Sequence, residues 1–174
     1  MKKVMRFLVR LFVSSRRWRN RQLRRFAAAV RGQRILEIGS GRPGRDGEGQ
    51  SVKSIFDPSN DFLQTDIVPA FGHRILDVTT MELHEEFDII ICLNVLEHVY
   101  DFQAAVQRIY RALRPGGKTV IHVPFVYPYH DEPHDYWRFS EHALRLMLSD
   151  FRHLDLETRG VSKIPISVLA VATK

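Results

Sequence analysis

Residues 35–44 read ILEIGSGRPG, a short apolar run that breaks into glycines. Gly39, Gly41 and Gly44 match G-x-G-x-x-G, the spacing of a loop that holds a dinucleotide pyrophosphate at a helix N-terminus. In such loops the third glycine lets the next helix pack closely on the strand. Here Gly44 is followed by RDGEGQ, which carries two more glycines and no apolar period. A helix starting there has little support. A chain of 174 residues also leaves little room for the substrate domain of a nicotinamide enzyme. The dinucleotide reading fits by letter and fails by context. What remains is a buried strand, RILEI, ending in a loop whose backbone can approach a ligand closely.

Working outward, apolar runs alternate with helical patterns. GQSVKSIF predicts a short helix, and DFLQTDI and HRILDV predict strands. FDIIICLN is continuously apolar, as expected of a strand covered on both faces. In DFQAAVQRIYRALR, Phe102, Ala105, Val106, Ile109, Tyr110 and Leu113 share one helical face. Asp101 suits its N-cap, and Pro115-Gly116-Gly117 its stop. KTVIHVPF is the next strand, and Ser140 suits the cap of SEHALRLMLSD. FRHLDLETRG and ISVLAVATK follow as strands with a turn around residues 160–165 and no helix between them. The order predicts an α/β fold. Its doubly wound, mostly parallel, Rossmann-like sheet has a terminal antiparallel strand, with a ligand site at the carboxyl ends of the central strands.

The net charge of +6 is unevenly placed. Residues 1–34 hold 12 Lys and Arg and no acid, whereas the rest of the chain is net acidic. The chain therefore divides into a basic amphipathic arm, residues 1–32, and a domain, residues 33–174. Val4, Phe7, Leu8, Leu11 and Phe12 recur at helical spacing before the arginine run. Three readings of this N-terminal basic helix stay open. It packs its apolar face on the body, lies on an anionic membrane surface, or tracks nucleic-acid phosphates, the last being the least favoured. The apolar runs are too short to span a bilayer, and no leader pattern is clear. A cytoplasmic protein is expected, with the arm offering peripheral contact at the inner face of a membrane. The single cysteine, Cys92, sits in an apolar run and reads as an inert buried thiol.

Glu37 stands two residues before Gly39, so that ILEIGSG is hydrophobic–acidic–hydrophobic–G-x-G. This resembles the first motif of the class I S-adenosylmethionine-dependent methyltransferases. FDIIICLNVLEHV and LRPGGKTVIHVP resemble that family's fourth-strand and fifth-strand signatures, in the family's order. The resemblance covers about residues 33–174 and is closest to the type 11 group. It implies S-adenosyl-L-methionine as cofactor, a ligand with a sulfonium, an ammonium and no phosphate. It implies a cofactor site of Glu37, Gly39, Ser40, Gly41, Asp66, Asp77 and Asn94. In it Asp66 meets the ribose hydroxyls and Asp77 the adenine amine. The short gap between Gly44 and Asp61 departs from the family and leaves a stunted first helix.

The stretch after the fifth strand, VPFVYPYHDEPHDYWRFS, resembles an H-x-x-P-x-D-Y-x-R-F-[ST] pattern of the same group and is read as a lid over the acceptor. Tyr127, Tyr129, Tyr136 and Trp137 would wall the acceptor, and His130 or His134 would serve as base. Arg138 either grips an anionic acceptor or pairs with Asp135 to hold the loop. Small-RNA 3′-end methyltransferases carry E-x-x-E-H after the fourth strand and hold a divalent cation there. This chain has Asn94 in the first position, giving N-x-x-E-H, so no metal is expected and Glu97 and His98 are read as starting the helix and shaping the pocket floor; a metal site of Glu97, His98 and His130 or His134 is the alternative. His122, inside a strand, reads as a satisfied histidine. The expected acceptor is a small molecule, a lipid-linked intermediate or a glycan. The alternatives are an RNA methyltransferase that uses the arm, and a non-catalytic binding protein that kept the fold.

Overall fold

The structure is a computed structural model that describes residues 2–44, 51–130, 134–161 and 164–174, with side chains from residue 15 onward except that of Val161. The RDGEGQ segment, residues 131–133 of the lid, and the side chains of Val4, Phe7, Leu8, Leu11 and Phe12 lie outside the described residues. Helix α1 (Lys2–Ala27) leads into β1 (Arg34–Ile38), β2 (Asp61–Asp66), β3 (Arg74–Ile75) and β4 (Phe87–Leu93). Then come α2 (Phe102–Ala112), β5 (Leu113–Pro124), α3 (Glu141–Met147), β6 (His153–Val161) and β7 (Ile164–Thr173). The seven strands form one sheet in the order β3-β2-β1-β4-β5-β7-β6. The first five are parallel, and β7 runs antiparallel to both β5 and β6. The predicted architecture is therefore the observed one.

Alternation along the strands sorts side chains to two covered faces. Leu36, Ile38, Ile90, Cys92, Ile121 and Val123 pack under α2 and α3 with Ala105, Ile109 and Leu144. Ile35, Ile89, Ile91, Val120 and Leu169 pack under α1, against Leu23, Ala27, Val52 and Phe56. Both faces of β4 are filled, which accounts for its unbroken apolar run. Of the expected short helix GQSVKSIF, the described residues from Ser51 onward form a 3-10 turn, Lys53–Ile55, and the first two lie outside the described residues. Helix α1 supplies cover on the same face. Among the described residues no helix is long and apolar enough to cross a membrane.

Three element boundaries differ from expectation. HRILDV yields only the exposed two-residue β3, because Gly72 turns the chain at φ 75° before it and Asp77 accepts from Thr79 N after it. Strand β5 begins directly after α2, with Leu113 opposite Phe87. Pro115, Gly116 and Gly117 then bulge out before Lys118 pairs with Ile89. Strands β6 and β7 pair through Gly160–Pro165 as far as Val161 and Ile164, so the predicted turn is narrower than 160–165. Asp101 and Ser140 cap α2 and α3 as expected, accepting from Ala104 N and Ala143 N.

Candidate functional site

The sheet face under α1 turns polar at the carboxyl ends of its central strands. On β1, Ile35 is followed on the same face by Glu37; on β5, Val120 is followed by His122. On α1, Ser15, Arg19, Leu23 and Ala27 recur every four residues and are all buried, so one stripe passes from polar to apolar. The polar ends of these elements bound a cavity of about 350 Å³, of a size suited to a small ligand. Ser15 Oγ and Ser167 Oγ, 2.8 Å apart, tie α1 to β7 at its wall.

Arg19 donates from Nη1 to Asn94 Oδ1 at 3.3 Å and from Nε and Nη2 to Asn20 Oδ1. Burial, with Arg16 acting the same way, brings its guanidinium down to about 10, against the pull of Glu37 and Glu97. It stays cationic at neutral pH. His122 Nδ1 donates to Asn94 Oδ1 at 2.7 Å, while its Nε2 meets no partner among the described residues. Burial, reinforced by Arg19, pushes the imidazole down to about 3, so it is neutral. Asn94 holds φ 56°, which short polar side chains tolerate, and so aims its amide between these two groups.

The glycine loop is braced from below. Glu37 accepts from Ser40 Oγ (2.8 Å), Ser51 Oγ and Val52 N (2.7 Å). Asp66 Oδ2 accepts from Gly41 N at 2.8 Å and its Oδ1 from Val68 N at 3.0 Å. Gly39 and Gly41 have φ 71° and 69°. A Cβ on Gly39 would stand 2.4 Å from Val95 Cγ2, so this position needs glycine on two counts. Of the seven residues expected at the cofactor, Glu37, Gly39 and Asn94 line the cavity. Ser40, Gly41 and Asp66 form the bonded layer beside them. Asp77 gives one carboxylate oxygen to both Thr79 N and Thr79 Oγ1 and does not line the cavity.

The lid is more structural than its sequence suggested. Tyr127 and His130 line the cavity, whereas Tyr129, His134, Tyr136 and Trp137 are exposed and do not. Tyr136 N and Trp137 N donate to Glu97 O, and the Trp137 indole donates to Val99 O. These aromatics clamp the loop to the 3-10 turn Leu96–His98. Arg138 meets both oxygens of Asp135, with Nη2 to Oδ2 at 2.7 Å, and Asp135 also accepts from His130 N. The structure thus realises the Asp135–Arg138 pair that holds the loop. Arg138's hydrogen bonds hold Asp135 well below the usual carboxylate range, against the opposing effect of burial. A folded value below the unfolded one means that the pair stabilises above about pH 4 and that this is lost as pH falls further. Asp135→Asn should therefore cost about 1–3 kcal/mol at pH 7. Thermal melts should show that gap narrowing as pH drops below about 4.

Glu97 is fully buried, and neither carboxylate oxygen has a hydrogen-bond partner among the described residues. Burial pushes its carboxyl up to about 8. His98 Nε2 lies 4.0 Å from Glu97 Oε1, and His98 Nδ1 lies 2.6 Å from His134 O. Cys92 is buried and its thiol is pushed up by burial, in keeping with an inert group.

A family model described as a methyltransferase domain matches residues 11–159. The chain belongs to the methyltransferase domain family. Among curated relatives, the ubiquinone biosynthesis O-methyltransferase of Pseudomonas putida (strain GB-1) is 25% identical over 104 residues, covering 53% of this chain and 44% of that protein. The chain spans less than half the length of the curated relatives it matches. A methyltransferase of Archaeoglobus fulgidus, described as SAM dependent, superposes with TM-score 0.70 at 15% identity, covering 91% of this chain and 94% of that one. The 1,6-didemethyltoxoflavin-N1-methyltransferase of Burkholderia thailandensis, solved with its acceptor and S-adenosylhomocysteine, superposes with TM-score 0.67 at 19% identity. That match covers 98% of this chain and 86% of that one. The methyltransferase fold expected from the sequence is thus the fold found.

Arg19 and His122 are the site residues that the sequence reading missed. Arg19 carried a signal, since it sits on the four-residue stripe with Leu23 and Ala27. His122 carried one too, two places after Val120 at the end of a central strand.

Proposed function

We propose that this methyltransferase domain binds S-adenosylmethionine across the ends of β1, β2 and β4 and transfers its methyl group to a small-molecule acceptor under the loop after β5. The observation that carries this reading is the Gly39–Gly41 loop, held at positive φ and opening on a cavity that has the carboxylate of Glu37 and the guanidiniums of Arg16 and Arg19 on its walls. The cofactor's amino-acid end carries both charges, and Arg19, with Arg16 also on the cavity wall, offers a cation to its carboxylate. Asp66 has lone pairs left for the ribose hydroxyls, and Gly39, on the cavity wall, lets the loop backbone come close to the cofactor. Asp77 lies farther out and would serve the adenine.

The acceptor's lone pair attacks the methyl carbon in line with sulfur. The bound cofactor would supply that methyl group on its sulfonium, the C–S electron pair staying on sulfur to leave S-adenosylhomocysteine as the product. The acceptor's proton leaves toward the cavity wall, where His130 stands and His134 does not. The protein's main work is alignment and exclusion of water. Small-molecule acceptors are favoured by the cavity's size, and the B. thailandensis enzyme is named for one. Lipid-linked and glycan acceptors remain within this reading. The exposed Arg17, Arg21, Arg24 and Arg25 give α1 an outward cationic face suited to an anionic membrane surface.

Calorimetric titration tests the cofactor assignment. S-adenosylmethionine should bind the folded chain and NAD should not. Arg19→Met should weaken S-adenosylmethionine about tenfold or more while leaving the melting temperature within a few degrees. Folded protein that gives no heat with S-adenosylmethionine would sink the proposal.

A further inference from the structure

We propose that Glu97, His98 and His130 form a binding site for a divalent transition metal ion of the zinc class, set in the wall of the cavity where the acceptor would lie. Each offers a ligand atom, and these atoms lie within 4.8 Å of one another. Their elements come from far apart in sequence: two from the turn after β4, the third from the loop after β5. The N-x-x-E-H spacing alone predicts no ion, because the third ligand is supplied by the lid and not by position 94.

Three features support the site independently of spacing. Glu97 buries both oxygens without a hydrogen-bond partner among the described residues, and although Arg138 and Arg19 act on it electrostatically, an ion bound directly at those oxygens would satisfy them. His98 directs Nδ1 at the carbonyl of His134, 2.6 Å away, which fixes the proton on Nδ1 and leaves the Nε2 lone pair toward Glu97. His130 directs Nδ1 at Pro128 O (3.3 Å) and Asp135 Oδ2 (3.2 Å), which leaves its Nε2 free in the same way. Metal-bound histidines characteristically donate their other ring N–H to a carbonyl or carboxylate. The two rings stand edge to face with centroids 4.7 Å apart.

One carboxylate and two imidazoles suit zinc and its neighbours, whereas magnesium and calcium prefer all-oxygen shells. Ligands at ~2.1 Å from a tetrahedral ion stand ~3.4 Å apart, so the side chains would close by about an ångström on binding. His98 and His130 both line the cavity, so the fourth position faces its interior. Where the methyl-transfer reading also holds, that position would take an acceptor oxygen and ease loss of its proton to solvent. His130 then acts as a ligand and not as a base.

The test uses the full chain, stripped of metal with chelator and dialysed, without S-adenosylmethionine. Zinc should bind at one equivalent with sub-micromolar affinity by calorimetry, and cobalt(II) should give visible d–d absorption. Magnesium should compete poorly. Glu97→Gln and His130→Ala, each confirmed folded by circular dichroism, should weaken zinc at least tenfold. Absence of zinc binding, preference for magnesium, or variants that bind like the wild type would each overturn the site. Cofactor binding is not part of this readout, so failure here leaves the methyl-transfer reading standing, and loss of that reading leaves the metal site standing.

Discussion

Asp66→Ala should weaken S-adenosylmethionine binding by about 10- to 150-fold, the equivalent of 1.5–3 kcal/mol for charge-assisted hydrogen bonds. The loss has two sources. The ribose hydroxyls lose their acceptor, and the glycine loop loses its tie, because Gly41 N now donates to Asp66 Oδ2. Asp66→Asn separates the two. Its amide keeps one acceptor oxygen, so it can hold Gly41 N or Val68 N but not both. An intermediate affinity is expected. Calorimetry on both variants, with thermal melts to confirm folding, checks the ordering. Unchanged affinity in Asp66→Ala would remove the ribose assignment.

Leu23→Ala should lower stability by about 2–5 kcal/mol. For a chain of this size that is roughly 4–20 °C in melting temperature. Leu23 is 1% exposed and faces Ile35, Ile89 and Val120 across the α1 interface. The neighbouring Arg24→Ala, on the exposed face, should stay within about 0.5 kcal/mol. Deleting residues 1–27 should go further and abolish the cooperative thermal transition, since it uncovers the sheet face that α1 shares with Val52 and Phe56. The basic arm is therefore a poor target for truncation as a test of membrane contact. Substituting the outward arginines, Arg17, Arg21, Arg24 and Arg25, leaves the core intact and tests the same contact with anionic vesicles.

The strand order and the two-sided sheet could be read from the sequence because periodicity is set locally. FDIIICL announces a doubly covered strand, and FQAAVQRIYRA announces a helix with one apolar face. The glycine loop was equally readable, since Glu37, Gly39 and Asp66 act within one strand–loop–strand unit. The rest depended on elements far apart in sequence. Whether the arginines of α1 point out or in is decided by where the helix lies on the sheet: Arg19 is buried and reaches Asn94, and Arg16 lines the same cavity. The lid histidines look equivalent as letters. Asp135 accepts from His130 N and draws that residue to the cavity, while the carbonyl of His134 is spent on His98. Glu97 could be placed by its motif, but its lack of a donor is a property of the packed fold.

The Ser15–Ser167 hydrogen bond has a consequence for the order in which this domain is made. Its partners are 152 positions apart. One half of this wall emerges from the ribosome with α1, and its other half only with β7, which follows every other strand of the sheet in the chain. Long-range closure of this kind is slow and follows local structure. A nascent chain that already displays the glycine loop therefore has no enclosed pocket to offer. Cofactor cannot help nucleate the sheet. It can only trap the finished fold, adding stability in proportion to its concentration once β7 has slotted between β5 and β6.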